Sequence, residues 1–386
     1  MTPALSLDDF ARRLHLALQR PSDLSASEFE EAALELHALQ FEHNRAYRQL
    51  CCARGRHPRD LRQWQEIPPV PAAAFKECEL TSLAPAERRT VFHSSGTTAQ
   101  EPSRHFHSAH SLALYEASLL RGFFLHGAPE PDPVAAGCGG PLRVRPEAGP
   151  HLVWLTPSAA EAPCSSWAYM LATIAGRVPN ARVTWAGRVA ADGSWTLDFP
   201  RVRSALDHAV ASGAAVMLAG TAFNHVHLLE AMAEAEVVWS LGRGSWALET
   251  GGYKGRSREL PKAELHTGLA ERLGLPRARI ICEYGMSELS SQAYDTAGLR
   301  AAGVGAEAGP RRFEFPPWAR CRVVSPETGE EVGEGETGRL RLWDLANVWS
   351  VQAVQTEDLA VRRGEGFELL GRAAQAEPRG CSLMAR

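Results

Sequence analysis

The chain has 386 residues, with 45 acidic against 41 Lys and Arg side chains, a net charge of −4, and 45% hydrophobic and 22% charged residues. This is the composition of an ordinary soluble globular protein, long enough to bury a sizeable core. It argues against a nucleic-acid or anionic membrane surface as partner, and no apolar run reaches the ~18 residues of a membrane span.

The opening Met1-Thr2-Pro3-Ala4-Leu5-Ser6 lacks the basic-then-apolar layout of a signal peptide. Eight scattered cysteines without a Cys-x-x-Cys pair suit reduced, mostly buried thiols in a cytoplasmic protein. The same spacing speaks against zinc. Ser6 with Asp9 predicts a helix start, followed by Leu7, Phe10, Leu14 and Leu18 on one side. Ser27 with Glu30 predicts a longer helix that carries Phe29, Ala33, Leu36, His43, Tyr47 and Leu50 and ends near Gly55. Pro68-Pro69-Val70-Pro71 then breaks helical structure. Residues 1–87 thus read as an N-terminal helical cap.

Residues 88–318 read as an α/β core. His105 and His107 alternate, as on one strand face rather than on a metal. A strand is expected over 151–155, a helix over 166–175, and a hairpin over 182–199 around Asp192-Gly193. A helix follows over 200–212, with Pro200 at its start and Gly213 just past its end. Strand 214–219, helix 223–234 and strand 236–241 make a βαβ pattern and imply a largely parallel sheet. From 319 to 386, short strands between Pro- and Gly-rich turns predict a small antiparallel β subdomain and a tail.

Two motifs carry chemistry. In Phe92-His93-Ser94-Ser95-Gly96-Thr97-Thr98, four hydroxyls surround a glycine after a β-leaning segment. Such a loop can wrap phosphate oxygens with backbone N–H and side-chain O–H donors, although on its own such a cluster is more often an ordinary turn. It is not a Walker A loop, since no Gly-Lys-[Ser/Thr] follows. Far along the chain, Tyr284-Gly285-Met286-Ser287-Glu288 follows the apolar run Ile280-Ile281-Cys282. An aromatic ring, a turn, a hydroxyl and a carboxylate at one strand end are the parts needed to stack a purine, bond a phosphate and hold a hard cation.

Together these segments resemble the adenylate-forming superfamily of acyl-CoA synthetases, adenylation domains and luciferases. More narrowly, with Leu155-Thr156-Pro157-Ser158, Gly220-Thr221-Ala222-Phe223, Glu249 to Arg256 and the tail Arg379-Gly380-Cys381-Ser382-Leu383, they are similar to the LuxE-type acyl-protein synthetases. That family is the synthetase subunit of the bacterial luminescence fatty acid reductase. The resemblance implies an α/β, ANL-like large domain with mostly parallel sheets flanked by helices, a small antiparallel β subdomain, and no full C-terminal lid domain. It implies ATP and Mg²⁺ as cofactors, a carboxylic and most simply a fatty acid as substrate, and an acyl-accepting reductase subunit as partner. Self-association into an oligomer is left open.

By the same resemblance, Ser94, Ser95, Gly96, Thr97 and Thr98 take the phosphates. Gly251, Gly252 and Tyr253 run along the adenine, and Tyr284, with Gly285, Met286 and Ser287, stacks on it. Asp358, in Gln355-Thr356-Glu357-Asp358, and Arg372, after Gly371, take the ribose. Glu288 holds Mg²⁺. Gly220, Thr221 and Phe223 border the acyl group, although a helix start packed by Phe223 is an equal reading. Cys381 carries the acyl group as a thioester. The superfamily's lid lysine has no counterpart; Lys254, one of three lysines, is the substitute, with a solvated surface role as its rival. Two other functions stay open: an acyl- or aryl-CoA ligase, and a non-catalytic adenylation-fold interaction protein.

Overall fold

The computed structural model describes residues 6–20, 22–94, 101–128, 149–251, 260–295 and 311–372. Helix α1 (Leu7–Leu18) starts where the Ser6 hydroxyl accepts from the Asp9 amide at 3.1 Å, and it buries Leu7, Phe10, Leu14 and Leu18. The next helix begins two residues earlier than expected, because Ser25 and Glu28 form the reciprocal capping box. It is also two helices, α2 (Ala26–His43) and α3 (Arg45–Ala53). Asn44 leaves helical geometry between them, and its side chain accepts from the Tyr47 amide and donates to the Ser350 carbonyl. After the prolines come strand β1 (Val70–Pro71), the single turn α4 (Ala74–Glu77), hairpin strands β2 (Thr90–His93) and β3 (Arg104–His107), and α5 (Ala109–Gly122).

The central unit runs β4 (His151–Trp154), α6 (Ser166–Ala175), β5 (Arg182–Trp185), β6 (Gly187–Val189), β7 (Trp195–Leu197), α7 (Phe199–Ser212), β8 (Val216–Thr221), α8 (Ala222–Glu234), β9 (Trp246–Thr250), α9 (Lys262–Leu273), β10 (Ile280–Tyr284) and β11 (Ala293–Tyr294). Six strands form one sheet in the order β11-β10-β9-β8-β4-β5, parallel except for β11. Gly213 ends α7 in the left-handed region at φ 66, as its place after the periodic pattern predicts.

Two expectations need correction here. The stretch 182–199 is not one hairpin: β5 joins the large sheet beside β4, and only β6 and β7 pair with each other. Residues 236–241 form no strand. Glu236 turns the chain at φ 52, and the Trp239 and Leu241 amides donate to the Arg272 and Leu273 carbonyls at the end of α9. The strand is β9, ten residues later than 236, where Trp246, Ala247 and Leu248 are buried between β8 and β10.

The second sheet contains β12 (Ala319–Val324), β13 (Thr337–Asp344), β14 (Ala353–Arg363) and β15 (Gly366–Arg372), all antiparallel, with β1 added in parallel to β14. The amino-terminal helices share its core. Phe10, Phe29, Leu36, Trp318 and Trp343 belong to one buried cluster, and Trp64 meets Trp343 edge-on at 4.8 Å between centroids. Burial of each such side chain contributes about 1.5–3 kcal/mol. No described helix is long and apolar enough to cross a membrane.

Candidate active site

Open parallel sheets hold ligands beyond the carboxyl ends of their strands. Here Thr221, Thr250 and Glu283 stand side by side at those ends of β8, β9 and β10. From β10 the chain enters Gly285-Met286-Ser287-Glu288. A Cβ at position 285 would run into Glu283 Oε1, so a larger residue there would have to displace that carboxylate.

The loop meets the second sheet at Tyr284. Its buried hydroxyl donates to Asp358 Oδ2 at 2.7 Å, and three phenylalanines, 313, 315 and 367, meet its ring edge-on. Asp358 lies directly opposite Arg372 across β14 and β15. The Arg372 Nε is 4.0 Å from Asp358 Oδ1, with the guanidinium largely exposed. The Asp358 amide donates to the Thr356 hydroxyl at 3.1 Å, which shapes the bend before the carboxylate. Burial raises the Asp358 pKa; Tyr284 and Arg372 oppose that rise. Tyr284, Asp358 and Arg372, far apart in sequence, therefore occupy one place.

The β2–β3 hairpin adjoins the same loop. The buried His105 donates from Nδ1 to the Ser287 carbonyl at 2.8 Å, and burial lowers its pKa to about 4, so the ring is neutral. His105 and His107 share the buried face of β3, their rings 4.3 Å apart. Ser94 closes the neck of the hairpin loop: its hydroxyl accepts from the Ser103 amide at 2.9 Å. Ser95, Gly96, Thr97 and Thr98 lie outside the described residues.

Glu288 is 6% exposed, and its carboxylate accepts from the Ser287 hydroxyl at 3.3 Å. The backbone around it is fixed by the turn after β13. Asn347 Nδ2 donates to the Glu288 carbonyl, and Asp344 accepts from the Ser290 amide and the Ser291 hydroxyl, at 2.7–2.9 Å. Gln40 of α2 grips the same turn from the opposite side, through the Asn347 and Val348 carbonyls and the Gln352 amide.

Glu283 is buried beside this loop, 5% exposed. Burial pushes its carboxyl up to about 7, with a smaller downward pull from the Thr250 hydroxyl that donates to it. The unfolded chain ionises near 4.5, while the folded state keeps the proton until about 7. Folded protein thus binds more protons across that window, and stability falls as pH rises through it. Between about pH 5.5 and about pH 8 this group is expected to remove roughly 2 kcal/mol of stability, and Glu283→Gln to abolish that part of the slope. Urea titrations of both proteins at the two pH values measure it; parallel slopes would contradict the assignment.

At the other strand ends, Thr221 caps α8 by accepting from the Asn224 amide at 3.2 Å. The space beside Gly220 is filled by Leu155 and Asn224, so that glycine serves close packing rather than leaving room for an acyl chain. Phe223 follows on the first turn of α8, its ring 4.1 Å from His227. Gly251 ends β9 at φ 70. Gly252, Tyr253, Lys254 and Cys381 lie outside the described residues.

Sequence reasoning gave no role to the buried group behind these strand ends. Glu249 Oε2 lies 2.7 Å from His266 Nε2 and 3.3 Å from Cys282 Sγ. Lys262 Nζ is 3.3 Å from that sulfur and 3.7 Å from Glu249 Oε1. The legible signals were a carboxylate inside the apolar run Trp246–Thr250 and a Lys and a His four residues apart on one helix.

No protein-family model matches the chain, and no curated protein does. Solved structures do match. A structure of 2-hydroxyisobutyryl-CoA ligase in the postadenylation state, with 2-HIB-AMP, aligns at a TM-score of 0.62 and 15% identity over 91% of this chain and 69% of that one. Its open conformation with 2-HIB-AMP and CoA aligns at 0.61 and 14%, over 91% and 71%. The chain therefore shares the fold of these ligase structures, an α/β architecture with a mostly parallel sheet and an additional antiparallel one.

Proposed function

We propose that the protein activates a carboxylic acid with ATP and passes the acyl group to a thiol. The observation that carries this reading is the meeting of Tyr284, Asp358 and Arg372 beside the Ser287–Glu288 loop and the hairpin that bears residues 94–104. Asp358 would accept from the ribose hydroxyls, with Arg372 beside it toward the phosphates and Tyr284 against the base. Ser94 to Thr98 would take phosphate oxygens. A carboxylate oxygen of the substrate attacks the α-phosphorus, pyrophosphate leaves, and an acyl-adenylate results. The residues work by positioning and by neutralising charge. Glu288, a hard oxygen donor at this loop, fits Mg²⁺, which when bound would neutralise phosphate charge. Lys254 stands in for a lid lysine.

In the second step a thiolate attacks the adenylate carbonyl, forming a thioester and releasing AMP. Cys381 is the proposed first acceptor, a fatty acid the proposed substrate, and a reductase subunit's cysteine the next acceptor. A CoA ligase is the second reading, favoured by the CoA in the matched ligase structure. Acid-dependent pyrophosphate exchange across a panel of acids tests activation. Intact mass with and without Cys381→Ser tests transfer: the variant is expected to exchange normally and gain no acyl mass. A persisting covalent label would remove Cys381, and CoA-dependent AMP release would favour the second reading. ATP binding without exchange would overturn activation itself.

A further inference from the structure

We propose that Glu249, His266 and Cys282, with the imidazole of His225 close by as a fourth donor, form a site for one divalent transition metal ion of the zinc class. None of the four belongs to the nucleotide-binding set. All are at most 2% exposed. They come from two neighbouring strands and two helices: Glu249 from β9, Cys282 from β10, His225 from α8 and His266 from α9.

Three ligand atoms converge on one point. His266 Nε2, Glu249 Oε2 and Cys282 Sγ are separated by 2.7, 3.3 and 3.6 Å. A proton relay would engage both nitrogens of the histidine, one toward the thiol and one toward the carboxylate. Here a single nitrogen faces both partners, which is the arrangement of a ligand set. Around a tetrahedral zinc ion such atoms stand about 3.4–3.6 Å apart, so among these three only the His–Glu edge must open appreciably, and His225 must move inward to complete the set. The donors, thiolate, imidazole and carboxylate, are those that zinc takes.

His225 supplies the independent observation. Its Nδ1 lies 3.0 Å from the Thr221 carbonyl, an acceptor only, so Nδ1 carries the proton. Its Nε2 therefore presents a lone pair, and that atom is buried without a hydrogen-bond partner. A carbonyl that fixes the tautomer so that the other nitrogen is free is the usual support of a metal-bound histidine.

The charges exchange cleanly. Without metal, Lys262 balances Glu249, while Arg311 balances Asp295 next to them. On binding, the Cys282 thiol loses its proton to solvent, the His266 proton moves to Nδ1, and the ion is neutralised by the thiolate and Glu249. The ammonium of Lys262, 44% exposed at its side chain, gives up the place. It already lies 5.6 Å from the Phe313 ring, which can receive it. Spacing along the chain hides such a site, because none of its ligands are paired in sequence.

Cobalt titration of the chelator-treated full chain tests this. One equivalent of Co²⁺ is expected to give a thiolate-to-cobalt charge-transfer band and tetrahedral visible bands, displaced by Zn²⁺. Cys282→Ser should abolish the charge-transfer band, and His225→Ala should weaken binding roughly 100-fold. Lys262→Ala, which removes a competing cation at a half-exposed position, should bind at least as tightly. Absence of the band in wild-type protein that is folded by circular dichroism would overturn the site. So would weaker binding by Lys262→Ala, the result expected if the ammonium is a fixed part of the cluster.

Discussion

Asp358→Ala is expected to lower acid-dependent pyrophosphate exchange about 10²–10³-fold while leaving the fold intact. The carboxylate is the one charged acceptor that Tyr284, Thr356 and the opposing Arg372 jointly orient. Hydrogen bonds to a charged acceptor contribute about 1.5–3 kcal/mol each, against about 0.5–1.5 for neutral pairs. Two such bonds to a ribose account for a loss of that size. Asp358→Asn keeps shape and one acceptor, so a smaller loss of about 10-fold is expected, and Tyr284→Phe, which removes only one neutral donor, should fall near it. The Arg372 ion pair is exposed and 4.0 Å long, so Arg372→Ala should change stability little and act through nucleotide affinity. Exchange rates at saturating and limiting ATP separate these effects. If Asp358→Ala retained exchange within about 2-fold of wild type, the ribose assignment would fail.

Much of this arrangement was legible because it rests on local chemistry. Ser6 with Asp9, Pro200 at the start of α7 and Gly213 after it mark helix ends through chemistry set within a few residues, although the cap itself, Asp198, is not among the predicted signals. Strand β10 and its loop were legible from an apolar run ending in Tyr-Gly. What escaped depends on partners remote in sequence. Asn44 divides a continuous helical pattern because its side chain also serves Ser350, a contact no periodicity encodes. Residues 236–241 have a strand's composition, Val237, Val238, Trp239 and Leu241, but the Trp239 and Leu241 amides bond to the carbonyls that end α9 rather than to a neighbouring strand. The cluster of Glu249, His266 and Cys282 escaped for the same reason: its members are unremarkable singly, and only the β9–β10 register brings them together.

The turn after β13 shows how the two sheets cooperate, and Asp344→Ala is expected to lower the unfolding free energy by about 3–5 kcal/mol. Two effects oppose each other. Burial raises the Asp344 pKa, so the site dislikes the charge, and removing it relieves part of that penalty. Against this, the Ser290 amide, the Ser291 hydroxyl and the Ala346 amide, at 2.7–3.0 Å, would all lose their acceptor in a buried place. Each orphaned donor costs about 1–3 kcal/mol, and three of them outweigh the relief of one carboxylate that these bonds already stabilise. Asp344→Asn keeps one acceptor oxygen without the charge, so its loss should be smaller, about 1–2 kcal/mol. The bonds to Ser290 and Ser291 also fix the loop that carries Glu288, so exchange activity should fall in both variants even at temperatures where they are folded. Urea midpoints at constant slope, with exchange rates measured on the same preparations, give both quantities. Equal stability of the alanine variant and wild type would mean that the turn is held from the other side alone, by Gln40 and Asn44.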